Sequence, residues 1–235
     1  MAKLLAVSRL KTFFSGEIVV FRNSEAPLFM VERSGLREVQ IEDRWENPCE
    51  AKFEIAGLID AERCDKILYV DADCLALGNI DHLFDFEEDV RYTEEPGMPL
   101  TKEQFNAYLT KEEMALPRQG SNSGIWIVRA GRFAEAMAEW KRIHATKPRR
   151  ARHFADQPAW NKLLLGGKFT ATPFQRKDVV FPACFDFVWH DWRRAPLCHF
   201  CGSMDAAMKL EFMFGAYAMR FYGDAVPFMI DLLEM

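Results

Sequence analysis

Asp71 and Asp73 stand one residue apart at the end of an apolar run, in the stretch ILYVDADCLALGNIDHLF from Ile67 to Phe84. Two carboxylates this close repel each other, so a cation, a shared proton or exposure to water must offset the repulsion. Residues i and i+2 of a strand point the same way. A strand ending near Val70, followed by a turn, therefore brings both carboxylates to its carboxyl edge, where open α/β sheets bind ligands. Hard cations such as Mg²⁺ and Mn²⁺ prefer carboxylate oxygens and often bridge to phosphates. The alternative is a pair of solvated loop aspartates, since Asp-x-Asp alone is common.

The surrounding pattern supplies the elements that must position these acids. Lys3 to Phe14 places apolar residues at helical spacing, and Ser15-Gly16 stops it. Glu17 to Phe21 reads as a short buried strand, 26–33 as a helix ended by Gly35, and Leu36 to Ile41 as a strand. Lys52 to Asp60 reads as a helix leading into the strand Lys66 to Val70. Helix alternating with short β-branched strand predicts an α/β domain with a mostly parallel open sheet and flanking helices. Asp89 to Gln119 holds Pro96, Gly97, Pro99 and Pro117, and reads as a long excursion with one short helix, Lys102 to Tyr108. Ile125 to Val128 is the next strand, and Ala130 to Ala145 the clearest amphipathic helix. Asp156 to Leu165 is a further helix and Lys168 to Thr172 a strand. From Val179 onward the pattern is aromatic, proline-punctuated packing and loops, ending in a helix-like tail. No domain boundary is visible, so residues 1–235 are read as a single domain.

Composition narrows the function classes. The chain is 49% hydrophobic and 28% charged, an ordinary globular balance. Its net charge of −5 argues against a nucleic-acid binder. Cys49, Cys64, Cys74, Cys184, Cys198 and Cys201 lie in apolar segments without a disulfide framework, which fits buried thiols in a reducing cytoplasm. Arg9 and Lys11 interrupt the N-terminal apolar residues before a signal-peptide core forms, and no window suits a transmembrane helix. The run KPRRARH at 147–153 reads as a solvated linker, with an acidic acceptor or an anionic lipid surface as the alternative contact.

Four ordered motifs resemble GT-A-fold glycosyltransferases, in particular family 8 and the glycogenin-like enzymes. They are ILYVDADCLALGNIDHLFD, then Asn122-Ser123-Gly124 before IWIV, then Asp156-Gln157-Pro158-Ala159-Trp160-Asn161, then His199-Phe200-Cys201-Gly202. The resemblance implies a Rossmann-like GT-A fold and metal-dependent transfer of a hexose from a nucleotide-sugar, in particular a UDP-sugar, to an unidentified acceptor, with retention. It implies that Asp73, Asp71 and His199 hold Mn²⁺ or Mg²⁺ and that Asp71-Ala72-Asp73 lies against the donor. Asn122, Ser123 and Gly124 would lie beside the transferred sugar. Asp156 would bind sugar hydroxyls, and Gln157 would lie by the reacting carbon. Lys52, Gly202 and Lys209 are further donor contacts on the same reading. Relative to that family the chain is expected to be N-terminally truncated, lacking the base-binding strand. A truncated or degenerate relative that binds carbohydrate or a partner without turnover is the corresponding non-enzymatic reading.

Each motif also has a plainer reading. An apolar strand before Asp-x-Asp also occurs in haloacid-dehalogenase-type phosphatases, with Asp71 as nucleophile, Asp73 as acid/base and Gly223-Asp224 as a later acidic motif. That motif normally lies near the N-terminus and continues with Thr or Ser, where this chain has Cys74. Cys198, His199 and Cys201 read as half of a zinc site, which needs further ligands. His199 alone reads as a core histidine, Asn122-Ser123-Gly124 as a turn and Asp156 as a helix N-cap. Trp45, Trp189 and Trp192 could stack on an acceptor sugar or simply pack.

Overall fold

The computed structural model describes residues 2–22, 36–41, 48–146, 156–181 and 195–201, with Met213 and Ala216. The chain runs α1 (Ala2–Phe13), β1 (Val19–Arg22), β2 (Arg37–Gln40), a segment of 3₁₀ turns (Pro48–Gly57), β3 (Lys66–Val70), β4 (Cys74–Ala76) and β5 (Val90–Pro99). It continues with the single-turn helices α2 (Glu103–Asn106) and α3 (Lys111–Met114), then β6 (Gln119–Arg129) and α4 (Ala130–Ala145). The last described elements are α5 (Gln157–Leu165), β7 (Ala171–Pro173), β8 (Val179–Val180) and β9 (Leu197–His199). The helix read at 26–33 and the helix-like tail lie outside the described residues.

A sheet in the order β3-β6-β5-β7 forms the centre, flanked by a smaller sheet β4-β9-β8 and the pair β1-β2. Side chains alternate along β6, and each set meets its own core. Trp126 and Val128 pack with Ile67 and with Phe133, Met137, Trp140 and Trp160 from α4 and α5. Ile125 and Ile127 face the other way, with Leu10, Cys74, Ala76, Ile80 and Leu197. Burial on both faces accounts for the unbroken apolar runs of β3 and β6.

Several expectations need correction. The sheets are mixed rather than mostly parallel: β1·β2, β5·β7 and β8·β9 are parallel, while β3·β6, β5·β6 and β4·β9 are antiparallel. The presumed excursion at 89–119 contains the ten-residue strand β5, the inner neighbour of β6. Its pairing with β6 shifts register after Tyr92 and again between Glu94 and Pro99, so the prolines and Gly97 (φ 70) sit where the ladder is irregular. Two single-turn helices follow where one was expected. The second carries a capping box in which Thr110 accepts from the Glu113 N–H and Glu113 accepts from the Thr110 N–H. The segment read as packing and loops after Val179 contributes β8 and β9. Cys64 is exposed, not buried, whereas Cys74 and Cys198 are buried. No helix among the described residues is long and apolar enough to cross a membrane.

Candidate functional site

β3 delivers Asp71 to the sheet edge on the same side as Tyr69, facing the 3₁₀ segment that carries Lys52. The Asp71 N–H donates to the Gly124 carbonyl at 2.8 Å, which extends the β3·β6 ladder by one residue. The chain then turns, and β4 pairs with β9 so that Cys74 lies opposite His199. The Phe200 N–H donates to the Asp73 carbonyl at 3.0 Å and fixes that turn against β9. His199, only 2% exposed, thereby arrives between the two aspartates. Its Nε2 lies 3.2 Å from Asp73 Oδ1 and 3.9 Å from Asp71 Oδ2.

Lys52 answers part of the repulsion that the sequence poses. Its buried Nζ lies 3.3 Å from Asp71 Oδ1 and 3.0 Å from Asp156 Oδ2, and donates to the Ser123 carbonyl at 3.1 Å. It also sits 5.1 Å from the centre of the Tyr69 ring. The Tyr69 hydroxyl donates to Asp71 Oδ1 at 2.8 Å. Burial first, then the Asp71 and Asp156 carboxylates, push that phenol well above its usual range, so it remains a donor. Asp156 stands at the N-cap position of α5, but its side chain makes no cap hydrogen bond and turns to Lys52 instead. The capping expectation therefore fails for a specific reason: a buried ammonium outcompetes a peptide N–H for the carboxylate.

The polar half of β6 forms the adjoining wall. Ser121, Asn122 and Ser123 are all buried, and each is tied down. Asn161 clamps Ser121 by accepting from its N–H at 2.7 Å and donating to its carbonyl at 2.8 Å, while Trp160 Nε1 donates to the Ser121 hydroxyl at 2.9 Å. Asn122 Oδ1 accepts from the Gly124 N–H at 2.7 Å. Asn122 Nδ2 donates to Glu95 Oε1 at 2.8 Å, and Gln157 Nε2 reaches the same oxygen at 3.4 Å. Gln104 from α2 donates to Glu95 Oε2 at 2.8 Å. One buried carboxylate thus aligns three amides. Burial pushes the Glu95 carboxyl up, against the opposing pull of Asn122, His199, Gln157 and Gln104. The turn expected at 122–124 is the first half of β6.

Gly124 permits the close approach. A Cβ there would overlap His199 Cε1 and come within 2.5 Å of Asp71 Oδ2. The donor set suits a divalent cation. Among the described residues, the Asp71 and Asp73 carboxylates stand beside the His199 imidazole, oxygen and nitrogen donors of the kind a divalent cation takes. Donor atoms of Asp73, Cys74 and His199 lie within 4.8 Å of one another. The Cys74 thiol is pushed well above its usual range by burial and by Asp73 and Asp71. Cys198, by contrast, packs with Leu75, Leu77 and Phe200 on the other side of β9, so among the described residues it does not join His199 in a metal-binding group.

The structure brings Asp71, Asp73, His199, Lys52, Asn122, Ser123, Gly124, Asp156 and Gln157 together, with exposed Ala72 at the turn between the aspartates. Gly202, Lys209, Trp45, Trp189, Trp192, Gly223, Asp224 and the basic run 147–153 lie outside the described residues. Glu95, Tyr69 and Cys74 were not foreseen as site residues. For Tyr69 and Cys74 the available signal was adjacency to Asp71 and Asp73. For Glu95 it was an acid in a segment that conceals a strand.

No family model matches the sequence, and no curated protein matches it. Solved structures do. The chain is similar to the bifunctional glycosyltransferase WbbM in its apo form, at 15% identity and a TM-score of 0.63. That match covers 96% of this chain and 49% of WbbM, so the chain spans about half of that protein. It is similar to the galactosyltransferase LgtC in complex with donor and acceptor sugar analogues, at 13% identity and a TM-score of 0.60, covering 92% of this chain and 91% of LgtC. An active-site mutant of LgtC gives 13% identity and a TM-score of 0.59 over the same shares. The fold is the GT-A glycosyltransferase fold. Within a GT-A fold, Asp71 and Asp73 occupy a sheet edge shared with β6 and β9, and the haloacid-dehalogenase reading is left without its scaffold.

Proposed function

We propose that this protein transfers a hexose from a nucleotide-sugar, in particular a UDP-sugar, to an acceptor, with retention of configuration and with Mn²⁺ or Mg²⁺. The observation that carries this reading is the meeting of Asp71, Asp73 and His199 beside Asn122, Gly124 and Gln157 at one edge of a GT-A sheet. WbbM and LgtC, which share the fold, are glycosyltransferases, and LgtC has been seen with donor and acceptor sugar analogues.

Asp73, Asp71 and His199 would hold the cation, which when bound supplies Lewis-acid stabilisation of the departing diphosphate. Lys52 fixes Asp71 in place and neutralises buried Asp156, so that the two acids do not drive each other apart. Glu95 orients the amides of Asn122 and Gln157 toward one side of the site, which presents their positions to the transferred sugar. Gly124, lacking a Cβ, lets His199 and Asp71 close together over the β6 backbone. Gly202 and Lys209 belong to the same reading as diphosphate contacts. The enclosure of Asp156 by Lys52, with only 3% of its side chain exposed, favours a second reading, binding of the nucleotide-sugar without turnover.

A panel of nucleotide-hexoses with Mn²⁺ and candidate acceptors separates the two. Transfer predicts release of nucleoside diphosphate from at least one donor, with loss of release in Asp73→Ala and Gln157→Ala and a retained anomer by NMR. Binding without release by folded protein supports the second reading. Neither binding nor release across the panel sinks both.

A further inference from the structure

The β4·β9 ladder places Cys74 directly opposite His199, so their side chains share one face. We propose that Cys74 is a ligand of the cation site and, with Asp73 and His199, gives it a sulfur, oxygen and nitrogen donor set selective for thiophilic ions such as Zn²⁺ and Co²⁺. This rests on the cation site of the proposed function. The three donor atoms lie within 4.8 Å of one another. Ligands around a four-coordinate zinc, with bonds of about 2.0–2.3 Å, lie within roughly 4 Å of each other. Modest side-chain rotations would bring the three donors to a coordinating separation. Cys74 and His199 are 1% and 2% exposed, so the ion would lie at the inner end of the cleft, against the core that contains Cys74. His199 Nδ1 is buried without a hydrogen-bond partner among the described residues. The Asp71 carboxylate, 3.9 Å from His199, stands at the open side.

The chemistry of the donor set distinguishes this from an oxygen-only site. Mn²⁺ and Mg²⁺ take carboxylate, carbonyl and water oxygens, whereas thiolate favours zinc-like ions. Coordination forms the sulfur–metal bond as the S–H bond breaks, and the proton passes to solvent.

The test uses Co²⁺ as a spectroscopic probe of the full chain, with Cys74→Ser, Cys74→Ala and Asp73→Ala. The expected result is a near-ultraviolet sulfur-to-cobalt charge-transfer band in the wild type, saturating at one ion per chain and absent from both Cys74 variants and from Asp73→Ala. Zn²⁺ affinity, measured by calorimetry, should fall in Cys74→Ala by at least the ~10-fold that losing even an outer-shell partner costs. Circular dichroism checks that the variants fold, and the wild-type spectrum decides the point even if they do not. Cobalt bound without a sulfur band, or a band that survives in Cys74→Ala, overturns the assignment of Cys74 and leaves the proposed function standing. Absence of cobalt binding overturns both this assignment and the cation site beneath it.

Discussion

The two ends of the central sheet carry similar residue types and put them to different use. At one end, Asp65, Asp89, Arg129 and Arg132 surround an open cavity with Cys64. Arg132 lies 3.4 Å from Asp89, pairs with Glu135 and donates to the Lys168 carbonyl, and Arg129 donates to the Glu87 carbonyl. These side chains are partly exposed, their charges are matched, and water screens what is left. At the other end, the Asp71, Asp73 and Asp156 carboxylates gather around buried Lys52 and His199. Charge type alone does not make a site. Burial strengthens each charge contact, and carboxylate and imidazole donors that converge at one point are what a cation can use.

That contrast can be broken in order of size. Lys52→Met should have the largest effect, about 3–5 kcal/mol in chemical denaturation, because it strands the buried Asp156 carboxylate. Lys52→Met combined with Asp156→Asn should recover part of the loss. Gly124→Ala should cost about 1–3 kcal/mol by overpacking and should also displace His199 or Asp71, read as lost Mn²⁺ binding in calorimetry. Glu95→Gln should act through pH. The folded protein holds the Glu95 proton more tightly than the unfolded chain, because burial raises its pKa above 4.5. The Glu95 contribution is therefore present below that value and fades as pH rises through the folded pKa. Subtracting wild-type from Glu95→Gln unfolding free energies between about pH 4 and 7 should reveal that slope. Arg132→Ala at the opposite end should change stability by less than about 1 kcal/mol, and less still at high salt.

The same contrast explains what could be read from residues alone. β3 and α4 match their expected ranges because two-sided burial and helical spacing leave unambiguous patterns. β6 was legible only from Ile125 onward. Its first half is polar, and Ser121, Asn122 and Ser123 become strand residues because Asn161, Trp160, Glu95, Lys52 and Gln157 satisfy them from distant segments. β5 was hidden for the same reason: Arg91, Thr93 and Glu95 are polar residues that only the tertiary fold buries, and prolines follow them. Asp71 and Asp73 were visible as a motif. The contact of Lys52 with Asp156 and Asp71, across a gap of many residues, depends on tertiary packing that no local spacing encodes. His199 was identified from motif order, whereas the thiol beside it comes from β4 and not from its sequence neighbour Cys198.

The central claim is that the acids at the end of β3 exist to hold a cation against a nucleotide diphosphate. Calorimetric titration of nucleoside diphosphates into wild type and Asp73→Ala, each with and without Mn²⁺, tests it most directly. The account predicts binding to the wild type that requires Mn²⁺ and disappears in Asp73→Ala. Equal affinity with and without the metal, or no nucleotide bound by protein shown to be folded, would contradict it.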